Sequence, residues 1–157
     1  MPALTEGEAV RRPAVLVDLD GTLALIGDRS PYDADLCERD AVNPAVAAVV
    51  GWARTAGHAV VLVTGRGFSA THRPATERWL ARNGIGYDLL LMREPGDGRP
   101  DHRVKAQIYR QQVRDGYDVL FVLDDRPEVV DMWRTKFGLT VFQVDGRHDL
   151  PGLSRGG

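Results

Sequence analysis

The amino-acid sequence predicts an α/β sandwich in which helices cover both faces of a parallel sheet of five strands. Short uninterrupted apolar runs, typical of strands buried on both faces, alternate with segments of helical character along the 157 residues. Polar residues follow several of these runs directly, at the position where an open α/β sheet forms its binding crevice. Hydrophobic residues make up 43% of the chain and charged residues 27%, which excludes a disordered chain, a collagen and a repeat array.

Strands and helices are predicted in regular alternation. Apolar runs predict strands at residues 14–17, 59–63, 87–92, 119–123 and 140–144. Helices are predicted from Pro44 to just before Gly57, over about 74–83, over about 101–115 and over 127–137. Asn43 followed by Pro44 is typical of a helix start, and glycines at 57, 84 and 138 end three of the helices. Parallel strands joined in this way require right-handed crossovers.

The chain length predicts one domain. We expect a flexible N-terminus at residues 1–12, a folded domain at 13–148 and a flexible tail at 149–157. No apolar run reaches the roughly 18–20 residues of a membrane span, and none follows a basic start as in a signal peptide. We therefore expect a cytoplasmic location and no membrane partner. Cys37 is the single cysteine, so an internal disulfide is excluded.

The charge is uneven along the chain, although its net value is only −2. Between Arg54 and Arg114 there are eleven lysines and arginines against five acidic residues. A basic middle region favours an anionic substrate, and the alternative is that these arginines cover exposed helix faces.

Three of the predicted strands end in polar residues. The first strand is followed by Asp18-Leu19-Asp20-Gly21-Thr22, the second by Thr64-Gly65-Arg66 and the fourth by Asp124-Asp125-Arg126. The loops at the opposite strand ends show no such clustering. We therefore expect a functional site at the carboxyl edge of the sheet.

The four aspartates at positions 18, 20, 124 and 125 would repel one another in a shared pocket, and a divalent cation removes that conflict. Ligands that are all oxygen favour a hard ion, so Mg²⁺ is the predicted cofactor. For these acids to meet, the first and fourth strands must be neighbours. That requirement predicts the strand order 5-4-1-2-3.

The same residue types suit phosphoryl transfer. A carboxylate can attack phosphorus, and a second carboxyl beside it can protonate the leaving alcohol and later activate water. The hydroxyl of Thr64, the amide of Gly65 and the ammonium of Lys105 could hold the other phosphoryl oxygens. Taken singly, the Asp-Gly pair is also typical of a turn, Asp124-Asp125 of a helix cap, and Lys105 of a solvated helix face. Their joint occurrence at strand ends favours the chemical interpretation.

These residues resemble the four motifs of the haloacid dehalogenase (HAD) superfamily: residues 18–22, Thr64, Lys105 and Asp124-Asp125. Over about residues 13–148 the chain further resembles the phosphatase domain of bacteriophage-type polynucleotide kinase/phosphatase. That likeness rests on residues 18–24, 29–33, 43–44, 64–66, 93–94 with 96–97, 101 with 104–105, and 123–126 followed by 129–134. It implies a HAD-like Rossmannoid three-layer sandwich.

The resemblance implies a Mg²⁺-dependent phosphatase that removes a 3′-phosphate from DNA or RNA ends during nucleic acid repair. Asp18 would be the nucleophile and Asp20 the general acid and base. The metal ligands would be Asp18, the backbone carbonyl of Asp20, Asp124 and Asp125. The family also needs residues that here are Arg29, Arg66 and Asp101.

Several features bear on the substrate and partners. A small flap at about residues 24–40 and no large cap would leave room for a polymer end, with Tyr32 or Phe68 available for base stacking. The alternatives are a small phosphomonoester as substrate and an inactive nucleic-acid-binding module. The sequence has no G-x-x-x-x-G-K-[ST] loop, so we expect no 5′-kinase half here. The sequence does not distinguish a stand-alone phosphatase from a domain joined to a kinase on a longer chain. It also leaves a homodimer as an alternative to a monomer. Helical positions predict Trp52, Trp79 and Trp133 in the core.

Overall fold

The computed structural model describes residues 10–146. The predicted flexible tail at 149–157 and most of the predicted flexible N-terminus lie outside these residues. The first strand, β1, begins at Arg12, one residue before the predicted start of the domain.

Five parallel strands form the central sheet. They are β1 (Arg12–Val17), β4 (Ala59–Thr64), β5 (Leu89–Met92), β6 (Tyr117–Asp124) and β7 (Val141–Gln143). Their spatial order is β5-β4-β1-β6-β7. β1, β4, β5, β6 and β7 are the first to fifth predicted strands. Read from β7 to β5, the observed order is therefore the predicted order 5-4-1-2-3. The α/β class and the neighbouring positions of the first and fourth predicted strands are confirmed.

Four α-helices cover this sheet: α1 (Pro44–Thr55), α2 (His72–Arg82), α3 (Asp101–Ile108) and α4 (Pro127–Phe137). Asn43 caps α1, because its side-chain oxygen accepts a hydrogen bond from the amide of Ala45 at 3.2 Å. The predicted helix over 101–115 is α-helical only to Ile108 and continues as a π-helix from Tyr109 to Val113. The Tyr109 ring in this wider turn packs 4.4 Å from the Phe137 ring, a tertiary contact that local sequence cannot reveal.

The predicted flap contains a hairpin. Strands β2 (Ala24–Leu25) and β3 (Ala41–Val42) pair antiparallel, and a 3-10 helix (Ala34–Arg39) lies between them. Strands of two residues carry no periodic pattern, so the sequence did not predict them. The hairpin fixes both ends of the flap beside the carboxyl edge of the sheet.

Each face of the sheet has its own hydrophobic core. Val15 and Val17 point into one core, whereas Ala14 and Leu16 point into the other. Trp79 and Trp133 are buried in these cores, as predicted. The prediction for Trp52 is wrong: it lies on the outer face of α1 and is 70% exposed. Within residues 10–146, no helix has the length and apolar character needed to cross a bilayer.

The pairing of β1 places three polar loops side by side. Val17 is in register with Leu62 of β4 and with Leu123 of β6. The residues that follow these strands therefore emerge next to one another at the carboxyl edge.

Two tryptophans give a matched test of the cores. Trp79→Ala should lower the free energy of unfolding by about 3–5 kcal/mol, because it removes a fully buried ring. Trp52→Ala should change it by less than about 0.5 kcal/mol, since most of that ring already contacts water. Urea titration monitored by circular dichroism measures both values. Equal losses for the two variants would contradict the described packing of α1 and α2.

Candidate active site

The predicted site residues converge on the carboxyl edge of the sheet. A cleft of about 800 Å³ is lined by residues from all three polar loops and from α3, among them Asp18, Asp20, Thr64, Arg66, Asp101, Lys105 and Asp124. The other two, Arg29 and Asp125, line an adjoining pocket that shares Asp20 with the cleft. The structure thus brings together every residue that the sequence selected.

Lys105 joins two of the acids. Its ammonium nitrogen donates to Asp18 Oδ1 and to Asp124 Oδ2, both at 2.8 Å, and its side chain is only 2% exposed. Burial alone would lower the pKa of Lys105, but the two carboxylates outweigh burial and raise it. Lys105 therefore stays charged inside the protein.

Asp18 has excess negative charge around it. Burial, followed by repulsion from Asp124, raises the pKa of Asp18 well above its ordinary value, even though Lys105 acts in the opposite direction. The Thr22 hydroxyl lies 3.1 Å from Asp18 Oδ2 and 3.2 Å from Asp125 Oδ1, so it can donate to either. One lysine does not balance the three acids Asp18, Asp124 and Asp125.

The three acids fit a divalent cation. One side-chain oxygen from each of Asp18, Asp124 and Asp125 lies within 4.8 Å of the others. All three donors are hard carboxylate oxygens, and their uncompensated charge is what a bound Mg²⁺ would neutralise. The Asp20 carboxylate is not in this group, so a contribution from Asp20 rests on its backbone carbonyl, as the resemblance implies.

Asp20 lies outside the group of three acids and is bonded instead to two arginines. Its Oδ1 accepts hydrogen bonds from Arg66 Nε at 3.0 Å, Arg66 Nη2 at 2.6 Å and Arg29 Nη2 at 2.8 Å. Burial raises the pKa of Asp20, but Arg66 and then Arg29 outweigh burial and lower it. Asp18 and Asp20 are only two residues apart, yet their surroundings raise the pKa of the first and lower the pKa of the second.

The sequence alone does not indicate one acid of this second group. Asp40 accepts hydrogen bonds from Arg29 Nε at 2.9 Å and Nη2 at 2.7 Å, and from Arg66 Nη2 at 3.3 Å. It is a single acid in a loop, outside every recognisable motif, so no sequence signal distinguished it.

Asp101 lies at the rim of the cleft. Its carboxylate accepts from Arg93 Nη2 at 2.5 Å and from Arg126 Nη1 at 2.6 Å. A β-carbon at position 65 would collide with this carboxylate, which explains why glycine follows Thr64. Asp101 thus holds two arginines in place, and one of them is Arg126, to which no sequence motif assigns a role.

Two aromatic rings stand at the mouth of the cleft. The centroids of Tyr32 and Phe68 are 5.2 Å apart, and the Arg93 guanidinium lies 4.1 Å from the Phe68 ring centroid. Tyr32 is 69% exposed although it is a large ring. This edge of the cleft therefore offers aromatic and cationic surface together.

Comparison with known families gives one match over nearly the whole domain. Residues 12–148 match the family described as Polynucleotide kinase PNKP phosphatase domain. A protein of Autographa californica nuclear polyhedrosis virus, assigned the name bifunctional polynucleotide kinase/RNA ligase, is 34% identical over 137 residues. That alignment covers 83% of this chain and 19% of the viral protein.

Two solved structures are similar in both sequence and shape. A chain of the Pnkp1/Rnl/Hen1 complex is 41% identical with a TM-score of 0.84, and the match covers 95% of this chain and 52% of that one. A chain of the Pnkp1/Rnl/Hen1 RNA repair complex is also 41% identical, with a TM-score of 0.82 and coverages of 90% and 47%. This chain therefore spans about half the length of those chains.

A third structure shows similarity in fold alone. The class C acid phosphatase of Bacillus anthracis with tungstate bound has a TM-score of 0.60 at 16% identity. The match covers 90% of this chain and 69% of the acid phosphatase.

The repulsion around Asp18 predicts that this residue lowers stability in the absence of metal. A raised pKa means that the folded state holds the proton more tightly than the unfolded chain, so ionisation of Asp18 lowers stability as the pH rises. Asp18→Asn should therefore increase the free energy of unfolding at neutral pH in EDTA. Thermal melts measure the difference, which should shrink when Mg²⁺ stabilises the wild type.

Asp28→Asn is the control, because Asp28 is an exposed carboxylate of the flap. An Asp18→Asn protein that melts below the wild type in EDTA, or a wild type that does not respond to Mg²⁺, would contradict the description of the acidic cluster.

Proposed function

Because the chain belongs to the family of PNKP phosphatase domains, we propose that it is a Mg²⁺-dependent phosphomonoesterase that removes the 3′-phosphate from polynucleotide ends. The position of Asp18 is the main support for this proposal. Its carboxylate is held by Lys105 at 2.8 Å among acids that fit a cation, and the acid two residues further on is held separately by arginines.

The first step forms an aspartyl-phosphate. A carboxylate oxygen of Asp18 attacks phosphorus, and the bond between phosphorus and the bridging 3′ oxygen breaks. Asp20 gives its proton to that oxygen, which leaves as a neutral 3′-hydroxyl. The dianionic phosphate offsets the two arginines near Asp20 and so favours the protonated acid that this step requires.

The second step reverses the role of Asp20. Its carboxylate now takes a proton from water, and the water oxygen attacks phosphorus. The bond between phosphorus and the Asp18 oxygen breaks, which releases inorganic phosphate and restores the Asp18 carboxylate. The arginines that lower the pKa of Asp20 favour the ionised form needed here.

The remaining residues hold the phosphoryl group. The Thr64 hydroxyl, the amide of Gly65 and Lys105 line the cleft beside Asp18 and can contact the oxygens that do not react. Mg²⁺ held by Asp18, Asp124, Asp125 and the carbonyl of Asp20 would neutralise charge on the phosphate. Phosphoryl transfer depends mainly on such positioning and neutralisation.

A polymer end suits the surroundings better than a small metabolite. The flap consists of one hairpin and one short helix and does not form a separate cap domain. Arg99 and Arg126 are roughly half exposed at the cleft and can pair with flanking phosphates. The relatives named for polynucleotide kinase and RNA repair support a place in nucleic acid repair, including on a longer chain that carries a kinase.

A substrate panel tests the activity. We expect rapid phosphate release from 3′-phosphorylated DNA or RNA oligonucleotides, with much slower turnover of a 3′-mononucleotide and a sugar phosphate. EDTA should stop the reaction and added Mg²⁺ should restore it, since the acidic cluster then regains its counter-charge. Phosphate release is measured directly.

Asp18→Asn should abolish turnover and Asp28→Asn should leave it unchanged. Equal turnover of all substrates would contradict the polymer specificity, and activity that survives EDTA would contradict the metal requirement.

The exposed aromatic ring at the mouth of the cleft predicts base stacking. Tyr32→Ala should raise the KM for a 3′-phosphorylated oligonucleotide about tenfold, because stacking of one base on an aromatic ring contributes roughly 1–3 kcal/mol. Its kcat should stay near the wild-type value. Phe142→Ala removes another exposed ring, on the edge strand β7, and should have no effect. Steady-state kinetics of both variants decide the point, and an unchanged KM for Tyr32→Ala would exclude the stacking.

A further inference from the structure

Asp40 is a buried carboxylate to which the reaction described above gives no role. It directly follows the 3-10 helix of the flap, and its side chain is only 2% exposed. Both of its oxygens accept hydrogen bonds from the arginines that hold Asp20. A buried carboxylate is destabilising unless it is paired with positive charge, and here Arg29 and Arg66 supply that charge.

The same arginine nitrogens serve both acids. Arg29 Nη2 lies 2.7 Å from Asp40 Oδ2 and 2.8 Å from Asp20 Oδ1. Arg66 Nη2 lies 3.3 Å from Asp40 Oδ2 and 2.6 Å from Asp20 Oδ1. Two cations therefore lie between two anions, and Asp40 is bonded to both cations.

The backbone of Asp40 is fixed as well. Its carbonyl accepts a hydrogen bond from the buried Trp79 indole at 3.0 Å, and its amide donates to the carbonyl of Cys37 at 2.9 Å. The next residue begins β3 of the flap hairpin. These backbone hydrogen bonds fix Asp40, so its carboxylate can hold the two arginines in place.

We infer that Asp40 is a positioning residue that acts through Arg29 and Arg66 to aim the carboxyl group of Asp20 at the leaving oxygen. The inference rests on the proposed function. Without Asp40 the two guanidinium groups would share only the Asp20 carboxylate and would repel each other. The hydrogen bonds that orient the Asp20 carboxyl group would then shift. None of the hydrogen bonds of Asp18 described above involves these arginines. Loss of Asp40 should therefore impair protonation of the leaving group and spare the attack on phosphorus.

Two oligonucleotides with different bridging atoms separate these effects. One carries a normal 3′-phosphate, and the other has sulfur in place of the bridging 3′ oxygen. In both, a bond forms between the Asp18 oxygen and phosphorus while the bond from phosphorus to the bridging atom breaks. The oxygen leaves with a proton from Asp20, whereas sulfur leaves as a thiolate and needs no proton. Release of the dephosphorylated strand in single turnovers reports this first step alone.

For Asp40→Asn, we expect the rate with the oxygen substrate to fall about ten- to a hundredfold, a part of the 10²–10⁴ that a general acid supplies. The rate with the sulfur substrate should stay within about threefold of the wild type. Asp20→Asn should show the same pattern with a larger loss. Asp40→Glu keeps the charge and should retain more of the oxygen rate than Asp40→Asn, and the exposed control Asp28→Asn should match the wild type with both substrates.

Retained activity on the sulfur substrate also shows that the variant is folded. Equal losses with both substrates, or no activity on either, would overturn the role of Asp40, because damage to the fold would affect both reactions. A wild type that processes neither oligonucleotide would instead overturn the proposed function and the inference with it.

Discussion

The site depends on the convergence of buried carboxylates on one lysine. Because β1 lies between β4 and β6, the acids that follow β1 and β6 emerge beside each other, and Lys105 reaches both at 2.8 Å. Arg126 also attracts these acids, but its guanidinium pairs with Asp101, so the cluster of three acids around one ammonium keeps excess negative charge. The same excess negative charge that makes the cluster unfavourable alone fits it to a divalent cation.

The two aspartates of the first loop lie in different electrostatic surroundings. Asp18 and Asp20 are two residues apart, yet burial and Asp124 raise the pKa of the first, whereas Arg66 and Arg29 lower the pKa of the second. Opposite environments are how a protein gives similar carboxyl groups different chemical roles. Here the flap supplies part of that environment, since Arg29 and Asp40 both belong to it. The proposed proton transfer at Asp20 would therefore depend on the flap.

The sequence predicted the features that depend on periodic patterns or on clustered motifs. Apolar runs gave the five strands, and the need for Asp18 to meet Asp124 gave the strand order, which the structure confirms. Asp40 was missed because its importance comes from tertiary contacts with arginines 11 and 26 positions away. The sequence predicts Trp52 in the core only because it lies within a helix, and that position alone does not show which face is covered. No local pattern distinguishes the π-helical turn from Tyr109 to Val113 from the α-helix before it, and its Tyr109 ring packs against Phe137.

Covalent trapping would show whether Asp18 forms a bond to phosphorus during turnover. The protein is mixed with a 3′-phosphorylated oligonucleotide and Mg²⁺, quenched in acid during turnover and reduced with borohydride, which converts an aspartyl-phosphate to homoserine. Peptide mass spectrometry then locates the modified residue. We expect homoserine at position 18 and at no other aspartate. Modification at another residue, or its absence from position 18 while phosphate is being released, would contradict it.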